Sequence, residues 1–226
     1  AIPAINKAEG AFLHALLSRD AERAKRIATE HGARKYYTTV DALLSDSELD
    51  AVYVSTPVYL HCEQVIQAAE RGLHVLCDKP MAMNPGECQR MIDACAANGV
   101  HLQGCFLFRF HSCFQQIKNW VSEGRLGRIV QVRMPLLKLF SIPQGAWRGE
   151  PDKGGGGCLM DLGAHSVDVL RYVIGEVSEV SAFCNSAIHH YNVEETGTIM
   201  MRFENGAQGF TDISFAAAGC DIVFEV

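Results

Sequence analysis

The sequence predicts an α/β domain built on a parallel sheet, followed by an α+β domain with a large, mostly antiparallel sheet covered by helices. Three observations predict this. Strand and helix patterns alternate over the first half of the chain, which is typical of βαβ units. In the second half, strand patterns separated by tight turns follow one another. Between them, the glycine run Gly154–Gly157 opens a helix pattern that carries Asp161 and His165.

The first half of the chain supplies the parallel sheet. Gly32, Gly72 and Gly99 follow helix patterns, where glycine is favoured as a C-terminal cap. Helix patterns cover residues 2–9, 21–31, 40–44, 59–71 and 85–98, and strand patterns cover 12–17, 36–37, 50–56, 73–77 and 100–104.

The second half changes character near residue 106. Asn205-Gly206 between two strand patterns is a strong β-hairpin signal. Residues 139–153 read as an irregular connection, and Gly175 ends the helix pattern that starts at Leu159. Further helix and strand patterns cover 111–123 (helix) and 129–138, 177–187, 196–203, 208–215 and 222–226 (strands). We therefore predict a dinucleotide-binding domain over 1–105 and a substrate and oligomerisation domain over 106–226.

Composition narrows the function classes. The 226 residues are 48% hydrophobic and carry a net charge of −6, with no basic run and no apolar stretch long enough for a membrane span. These features argue against nucleic acid or membrane partners. The nine cysteines are scattered without a C-x-x-C pair, so we expect reduced, mostly buried thiols in a cytoplasmic protein and no metal site.

Polar residues follow successive strand patterns of the first domain. Ser18 and Arg19, then Thr56, then Asp78 and Lys79, and finally Cys105 stand at carboxyl ends, where ligands bind in parallel sheets of the Rossmann type. Polar side chains are also ordinary in loops. The G-x-G-x-x-G turn of a dinucleotide fold is absent, so we expect the first strand and its glycine loop to precede this sequence, and part of the second sheet to follow it.

The helix pattern after the glycines has two faces. Leu159, Leu162, Val169 and Val173 recur as an apolar stripe, and Asp161, His165 and Asp168 recur at i, i+4 and i+7 on another face. A carboxylate and an imidazole on one helix face suggest an acid/base pair. Each also has a structural interpretation: an acidic residue near a helix start complements the helix dipole, and a histidine can be a satisfied core residue.

Three motifs carry a resemblance to a known family. They are Thr56-Pro57-Val58-Tyr59-Leu60-His61, Asp78-Lys79-Pro80, and Gly155-Gly156-Gly157 leading to Asp161-Leu162-Gly163-Ala164-His165-Ser166-Val167-Asp168. In order and spacing they resemble the glucose–fructose oxidoreductase/inositol dehydrogenase (Gfo/Idh/MocA) family of NAD(P)-dependent oxidoreductases, with Asp78 where the family usually has Glu. The resemblance implies a cis Lys79-Pro80 bond and places Lys79, Asp161 and His165 as catalytic residues around the reacting hydroxyl.

The resemblance also implies roles for other residues. His165 is the leading general acid/base, since the ordinary imidazole pKa lies near neutrality. Asp161 would orient the imidazole or contact substrate, and Asp168 has a structural or substrate-contact role. The implied substrate-binding residues are Lys79, Arg109, Asp161 and His165. The implied cofactor-binding residues are Ser18, Arg19, Arg23, Thr56, Pro57, His61, Asp78, Lys79, Cys105, Trp147 and Arg148.

Cofactor and function follow as expectations. Ser18, Arg19 and Arg23 favour binding of the 2′-phosphate of NADP. Asp20 stands close enough to bind the ribose 2′-OH of NAD, so NAD remains an alternative cofactor. The predicted function is hydride transfer between the nicotinamide and a sugar, polyol or related cyclic alcohol. Two alternatives remain: an NAD-dependent glycosidase of the same fold, and a catalytically silent nucleotide or sugar sensor. Family members often associate through the open face of the second sheet, so we expect a homodimer or homotetramer.

Overall fold

The computed structural model describes residues 1–189, 191–218 and 222–226. These residues form two compact units. The first comprises Ala1–Val54, Cys62–Cys77 and Gln89–Gln103, and the second comprises Ser55–His61, Asp78–Cys88 and Gly104–Val226. The segments that follow two strands of the first half, beginning at Ser55 and at Asp78, therefore group with the second unit.

The first half of the chain forms parallel strand pairs, which confirms the predicted fold class. The strands are β1 (Ala15–Leu17), β2 (Lys35–Tyr37), β3 (Ala51–Val54), β4 (His74–Cys77) and β5 (Leu102–Gly104). β1 pairs with β2, and β3, β4 and β5 form a sheet in that order, with β3 and β4 in parallel register. The helices are α1 (Ile2–Ile5), α2 (Ala21–His31), α3 (Val40–Leu44), α4 (His61–Glu70) and α5 (Pro85–Ala97).

Local capping signals explain why α2 has the bounds that the sequence predicts. The Asp20 side chain accepts a hydrogen bond from the Arg23 N–H, and Gly32 ends the helix with φ 73°. The first helix is shorter than the predicted 2–9 and ends at Ile5. Beyond it, Asn6 donates its side-chain amide to the His31 carbonyl oxygen at 2.9 Å, so Asn6 contacts the end of α2 instead of continuing a helix.

A polar network surrounds the buried Asp46 in the first unit. His14 Nε2 and the Tyr37 hydroxyl lie 2.8 and 2.9 Å from its carboxylate, and Lys35 donates to it at 3.0 Å. Burial raises the pKa of Asp46, but hydrogen bonds from the Glu48 N–H, Lys35, Tyr37 and His14 outweigh it and hold the pKa well below its usual range. This network joins β2 to the chain after α3.

The second half forms a sheet with the order β6-β10-β9-β8, to which β7 adds by pairing with β10. Its strands are β6 (Gln131–Arg133), β7 (Leu136–Leu137), β8 (Val177–Asn185), β9 (Thr196–Phe203) and β10 (Gln208–Ser214). β8, β9 and β10 are antiparallel neighbours, whereas β6 and β7 run parallel to β10. The helices are α6 (Ser112–Ser122), α7 (Pro151–Gly154) and α8 (Ala164–Ile174). The sheet is therefore mixed, and most of its paired residues belong to the two antiparallel ladders.

Some element predictions need correction. The single strand predicted over 129–138 is two short strands, because Pro135 lies between them and has no N–H for the ladder. Residues 222–226 form isolated bridges, Leu136 to Ile222 and Arg133 to Glu225, and not the predicted strand. The helix predicted to start at Leu159 begins with a π-helical turn, Leu159–Gly163, before α8.

The core of the second unit lies between α8 and the sheet. Val169, Leu170 and Val173 from α8 are buried in one cluster with Met134, Phe203 and Ile213. The predicted Asn205-Gly206 hairpin joins β9 to β10, with Gly206 at φ 86°. The eight described cysteines are free thiols, of which Cys62, Cys77, Cys95 and Cys158 are buried, and Cys220 lies outside the described residues. No helix within the described ranges is both long and apolar enough to cross a bilayer.

Candidate active site

Lys79 is the second residue after β4, on a segment that hydrogen bonds hold in place. Its N–H donates to the Asp78 carboxylate at 2.8 Å, and the Lys79-Pro80 peptide bond is cis, as the resemblance implied. The ring of His61 contacts the same segment. Its Nδ1 lies 3.1 Å from the Pro80 carbonyl oxygen, and its Nε2 lies 2.8 Å from the Thr56 carbonyl oxygen. The buried His61 ring therefore joins the segments that begin at Ser55 and Asp78.

Lys79 and Asp161 form an ion pair within the second unit. The Lys79 Nζ donates to Asp161 Oδ1 at 2.5 Å and to the Asp161 carbonyl oxygen at 2.8 Å. The two side chains are 16% and 28% exposed, so the pair is shielded from water but reachable by a ligand. An ammonium group has three N–H donors, of which this arrangement uses two. The third can reach an incoming oxygen atom.

Asp161 lies in the π-helical turn, and the chain before that turn is held by Glu194. Glu194 Oε1 accepts hydrogen bonds from the N–H groups of Gly157 at 2.9 Å and Leu159 at 3.0 Å. A Cβ on Gly157 would lie 1.9 Å from the Glu194 carbonyl oxygen, so only glycine fits there. The glycines therefore permit a close approach to Glu194, a residue that the sequence analysis missed.

His165 is packed against Phe108, with ring centroids 4.8 Å apart. Its Nδ1 is buried and has no hydrogen-bond partner among the described residues. Burial, together with the positive charge of Lys79, lowers the pKa of His165 to about 4, against the opposing effect of Asp161 and Asp168. The pKa of His165 therefore lies below the ordinary imidazole value, and at pH 7 the imidazole is neutral. It is also not bonded to Asp161, which pairs with Lys79.

Asp168 and Arg109 form a second ion pair. Arg109 Nε donates to both Asp168 carboxylate oxygens at 3.0 and 2.9 Å, and Nη2 donates to Oδ1 at 2.5 Å. The Asp168 side chain is 8% exposed and that of Arg109 is 41% exposed. Hydrogen bonding to Asp168 raises the pKa of the Arg109 guanidinium. The pair attaches the segment that contains Phe108 to α8, which favours the structural role for Asp168.

A cleft of about 210 Å³ opens beside Lys79. The predicted cofactor residues that line it are Thr56, Pro57, His61, Asp78, Lys79, Trp147 and Arg148. A neighbouring cavity of about 20 Å³ shares Trp147 and Arg148 with the cleft and is also lined by Asp161, Met160 and Gly156. The Lys79–Asp161 pair therefore faces two adjoining spaces.

The remaining predicted cofactor residues lie elsewhere. Ser18, Arg19 and Arg23 belong to the first unit, where Arg19 and Arg23 are exposed at the start of α2. The carboxylate of Asp20 is engaged in capping that helix through the Arg23 N–H at 3.0 Å. Cys105 is a partly buried free thiol after β5, and the structure does not place it among the described residues that line the cleft.

The chemistry of the cleft fits a nicotinamide cofactor. Parallel strands of this fold bind dinucleotides at their carboxyl ends, and Asp78 and Lys79 follow such an end in β4. Lys79 supplies an ammonium donor to the cleft, and the neutral imidazole of His165 lies near enough for the Lys79 charge to lower its pKa, although His165 is not among the described residues that line the cleft. Such groups can bind a hydroxyl and exchange its proton, which is what hydride transfer at an alcohol carbon needs from a protein.

Comparison with known proteins gives matches over both halves of the chain. Residues 1–105 match a family described as "Oxidoreductase family, NAD-binding Rossmann fold", and residues 114–226 match the "GFO/IDH/MocA C-terminal domain". The chain is 33% identical to a 1,5-anhydro-D-fructose reductase of Ensifer adhaerens over 97% of its length and 67% of the relative. It is 35% identical to D-xylose 1-dehydrogenase (NADP(+)) 2 of Haloferax volcanii, over 95% of this chain and 65% of that one.

Solved structures agree with these matches. A levoglucosan dehydrogenase in complex with NADH and levoglucosan superposes with a TM-score of 0.91 at 28% identity, covering 99% of this chain and 65% of that one. An aldose-aldose oxidoreductase from Caulobacter crescentus, complexed with glycerol, gives a TM-score of 0.90 at 30% identity, covering 96% and 67%. The chain thus spans about two thirds of the length of these relatives.

Proposed function

Because this chain belongs to the GFO/IDH/MocA family of NAD-binding oxidoreductases, we propose that the full-length protein transfers a hydride between NAD(P) and a hydroxyl-bearing carbon of a sugar, polyol or related cyclic alcohol. The observation that carries the proposal is the Lys79–Asp161 pair, 2.5 Å apart at the edge of the cleft. The nicotinamide supplies the hydride acceptor or donor. The relatives named above are dehydrogenases and reductases, which favours this function over a glycosidase or a silent sensor.

Lys79 is the residue that handles the substrate hydroxyl. Its third N–H donates to the hydroxyl oxygen, while Asp161 keeps the ammonium in place through its carboxylate and its carbonyl oxygen. A positive charge next to the oxygen stabilises the negative charge that develops there as the C–H bond breaks. For the hydroxyl proton to pass through Lys79, the ammonium first gives a proton to the Asp161 carboxylate, and the neutral amine that results accepts the hydroxyl proton on its lone pair.

His165 acts as a neutral imidazole. With its pKa near 4, it carries no charge at pH 7 and offers a lone pair to the substrate hydroxyl. Phe108 holds the ring from one side, so the imidazole position is fixed without a hydrogen bond to another described residue. We assign it hydrogen bonding and orientation of the substrate, with Lys79 and Asp161 handling the proton.

Measurement of enzymatic turnover tests this proposed function. Full-length protein is assayed for reduction of NAD and NADP, by nicotinamide absorbance, against a panel of aldoses, anhydrosugars and polyols. We expect activity with at least one of them and a loss of at least about 100-fold in kcat for Lys79→Ala, the range of positioned proton-transfer groups. Lys25→Ala, at an exposed position of α2, is the matched control and retains activity. Absence of turnover across the panel, or an unchanged kcat in Lys79→Ala, refutes the proposal.

Self-association is a second part of the proposal. Phe183 of β8 and Met200 of β9 lie on the same face of the sheet and are exposed by 82% and 58%. Large exposed apolar side chains on neighbouring antiparallel strands are typical of an interaction surface. We propose a homo-oligomer through this face. Light scattering should show Phe183→Glu reducing the mass of the full-length protein to that of a monomer, while Val130→Glu, at a position 72% exposed outside the strands, leaves it unchanged.

The redox state of the cysteines is the basis for proposing a cellular compartment. All eight described cysteines are free thiols, including the exposed Cys113 and Cys184. Free thiols persist in a reducing compartment. We therefore propose a cytoplasmic location, which fractionation of the source cells can check.

A further inference from the structure

Glu194 occupies a position that links the sheet to the catalytic pair. It lies just before β9, next to Glu195, whose side chain is fully buried. The Glu195 carboxylate accepts hydrogen bonds from the N–H groups of Ala187 at 2.6 Å and His189 at 2.8 Å, and its main-chain oxygen accepts from the Phe215 N–H at 2.8 Å. Glu194 is therefore carried by a segment that is bonded on several sides.

A continuous chain of hydrogen bonds runs from Glu194 to Lys79. Glu194 Oε1 accepts from the Gly157 N–H at 2.9 Å. The Gly157 carbonyl oxygen accepts from the Asp161 N–H at 3.1 Å. Asp161 in turn receives Lys79 through both its carboxylate and its main-chain oxygen. Each hydrogen bond in this series restrains the residue that makes the next one.

Glu194 also determines the path of the backbone before the π-helical turn. Its main-chain oxygen accepts from the Cys158 N–H at 2.9 Å, and Oε1 accepts from the Leu159 N–H at 3.0 Å. Three successive N–H groups, those of Gly157, Cys158 and Leu159, thus end on one residue. These groups precede the first helical hydrogen bonds and need acceptors. A carboxylate is a stronger acceptor for them than a neutral group.

We propose that Glu194 is a positioning residue for the reaction, acting through Gly157 and Asp161 to set the position of the Lys79 ammonium. This proposal rests on the function proposed above, in which Lys79 binds the substrate hydroxyl. Glu194 does not line the cleft or the neighbouring cavity within the described part of the chain, so it acts without touching a ligand. A displacement of about 1 Å at a reacting group can cost about 100-fold in rate.

The first experiment compares Glu194→Ala, Glu194→Gln and Glu204→Ala in the full-length protein. Glu204 is an exposed glutamate in the β9–β10 turn and serves as the matched control. We expect kcat to fall by at least about tenfold in Glu194→Ala and to stay within about threefold in Glu194→Gln, whose amide oxygen still accepts both N–H groups. The KM for NAD(P) stays near the wild-type value. Rates are normalised to cofactor-binding sites, so that a loss of folded protein is not counted.

The second readout does not depend on turnover. Reductive methylation of Lys79, followed by peptide mass spectrometry, reports how firmly its ammonium is held by Asp161. We expect methylation to become several-fold faster in Glu194→Ala and to keep the wild-type rate in Glu194→Gln and Glu204→Ala. If Glu194→Ala does not fold, Glu194→Asp, whose shorter side chain cannot reach both N–H groups, replaces it in both assays.

These two readouts separate the outcomes. A Glu194→Ala protein with a wild-type kcat, or with wild-type methylation of Lys79, overturns the positioning role. A wild-type protein that turns over no alcohol refutes the proposed function, and the methylation rates still decide whether Glu194 positions Lys79. A variant that loses stability but keeps the normalised kcat shows a purely structural role and also overturns the proposal.

Discussion

Lys79 donates hydrogen bonds to both the carboxylate and the main-chain oxygen of Asp161, a residue 82 positions later in the chain. The main-chain bond matters for the design of variants, because it survives any substitution of the Asp161 side chain. Changing Asp161 therefore tests the charge of the pair while part of the Lys79 anchor remains.

For Asp161→Asn we expect a fall in kcat of about 10- to 100-fold, smaller than for Lys79→Met, because a neutral amide holds the ammonium less strongly than a carboxylate. The double variant should be no worse than about threefold below Lys79→Met alone, since residues in direct contact are not additive. The measurement is a double-mutant cycle on kcat at saturating cofactor. Effects that multiply would mean that the two residues act independently.

His165 should make the protein sensitive to acid. An imidazole with a pKa of 6.5 when unfolded and about 4 when folded binds a proton only in the unfolded chain between these values, so the unfolding free energy falls as the pH falls through this window. The groups that influence it are Lys79, Asp161, Asp168 and Asp78. We expect urea unfolding to show a loss of about 1 to 2 kcal/mol between pH 7 and pH 5 that His165→Gln removes. Equal pH dependence in both proteins would contradict a half-buried imidazole that is neutral in the folded protein.

Substitution of Arg109 distinguishes a structural role of this residue from a role in substrate binding. Arg109→Ala leaves the Asp168 carboxylate, 8% exposed, without its partner, and we expect a loss of roughly 2 kcal/mol in unfolding free energy, reduced from the range for fully buried pairs because Arg109 is 41% exposed. Adding Asp168→Ala should recover part of that loss. Thermal and urea denaturation measure both. A raised KM for substrate with unchanged stability would instead support the substrate-binding role that the resemblance implied.

The start of α2 should determine cofactor preference. Arg19 and Arg23 are exposed cations, and the Asp20 carboxylate is engaged by the helix N–H of Arg23. We expect Arg19→Ala with Arg23→Ala to lower kcat/KM for NADP by at least about tenfold while changing the value for NAD by less than about twofold, since only NADP carries a 2′-phosphate. Arg26→Ala, one turn further along α2, is the control. An equal loss with both cofactors would show that these arginines do not read the 2′-phosphate.

The sequence predicted best where the signals are local. α2 has the predicted bounds because Asp20 caps one end and Gly32 the other, and the β9–β10 hairpin follows from Asn205-Gly206. It predicted least where a contact joins distant positions. No sequence pattern near residue 160 predicts that Glu194 accepts hydrogen bonds from N–H groups 35 to 37 positions away. The sequence also does not predict that the turn at Leu159–Gly163 is π-helical.

The protonation state of His165 is a further property that the sequence does not determine. The spacing of Asp161, His165 and Asp168 places them correctly along one segment, but their partners come from elsewhere: Lys79 for Asp161, Phe108 for His165 and Arg109 for Asp168. The imidazole pKa depends on burial and on the Lys79 charge, and both are properties of the folded chain. Residue types and spacing can therefore suggest which residues belong to a site, while their protonation states require the three-dimensional neighbours.

His61 extends this point to the interpretation of mutational data. The residue is 1% exposed and its ring lies between the carbonyl oxygens of Thr56 and Pro80, so it links the segment that follows β3 to the segment that follows β4. A saturation screen for activity would rank His61 beside the residues that contact the reactants, although the hydrogen bonds described above join its ring to backbone oxygens. Maps of mutational tolerance for this protein should consequently mark the residues that hold the cleft segments in place as clearly as the residues that line the cleft.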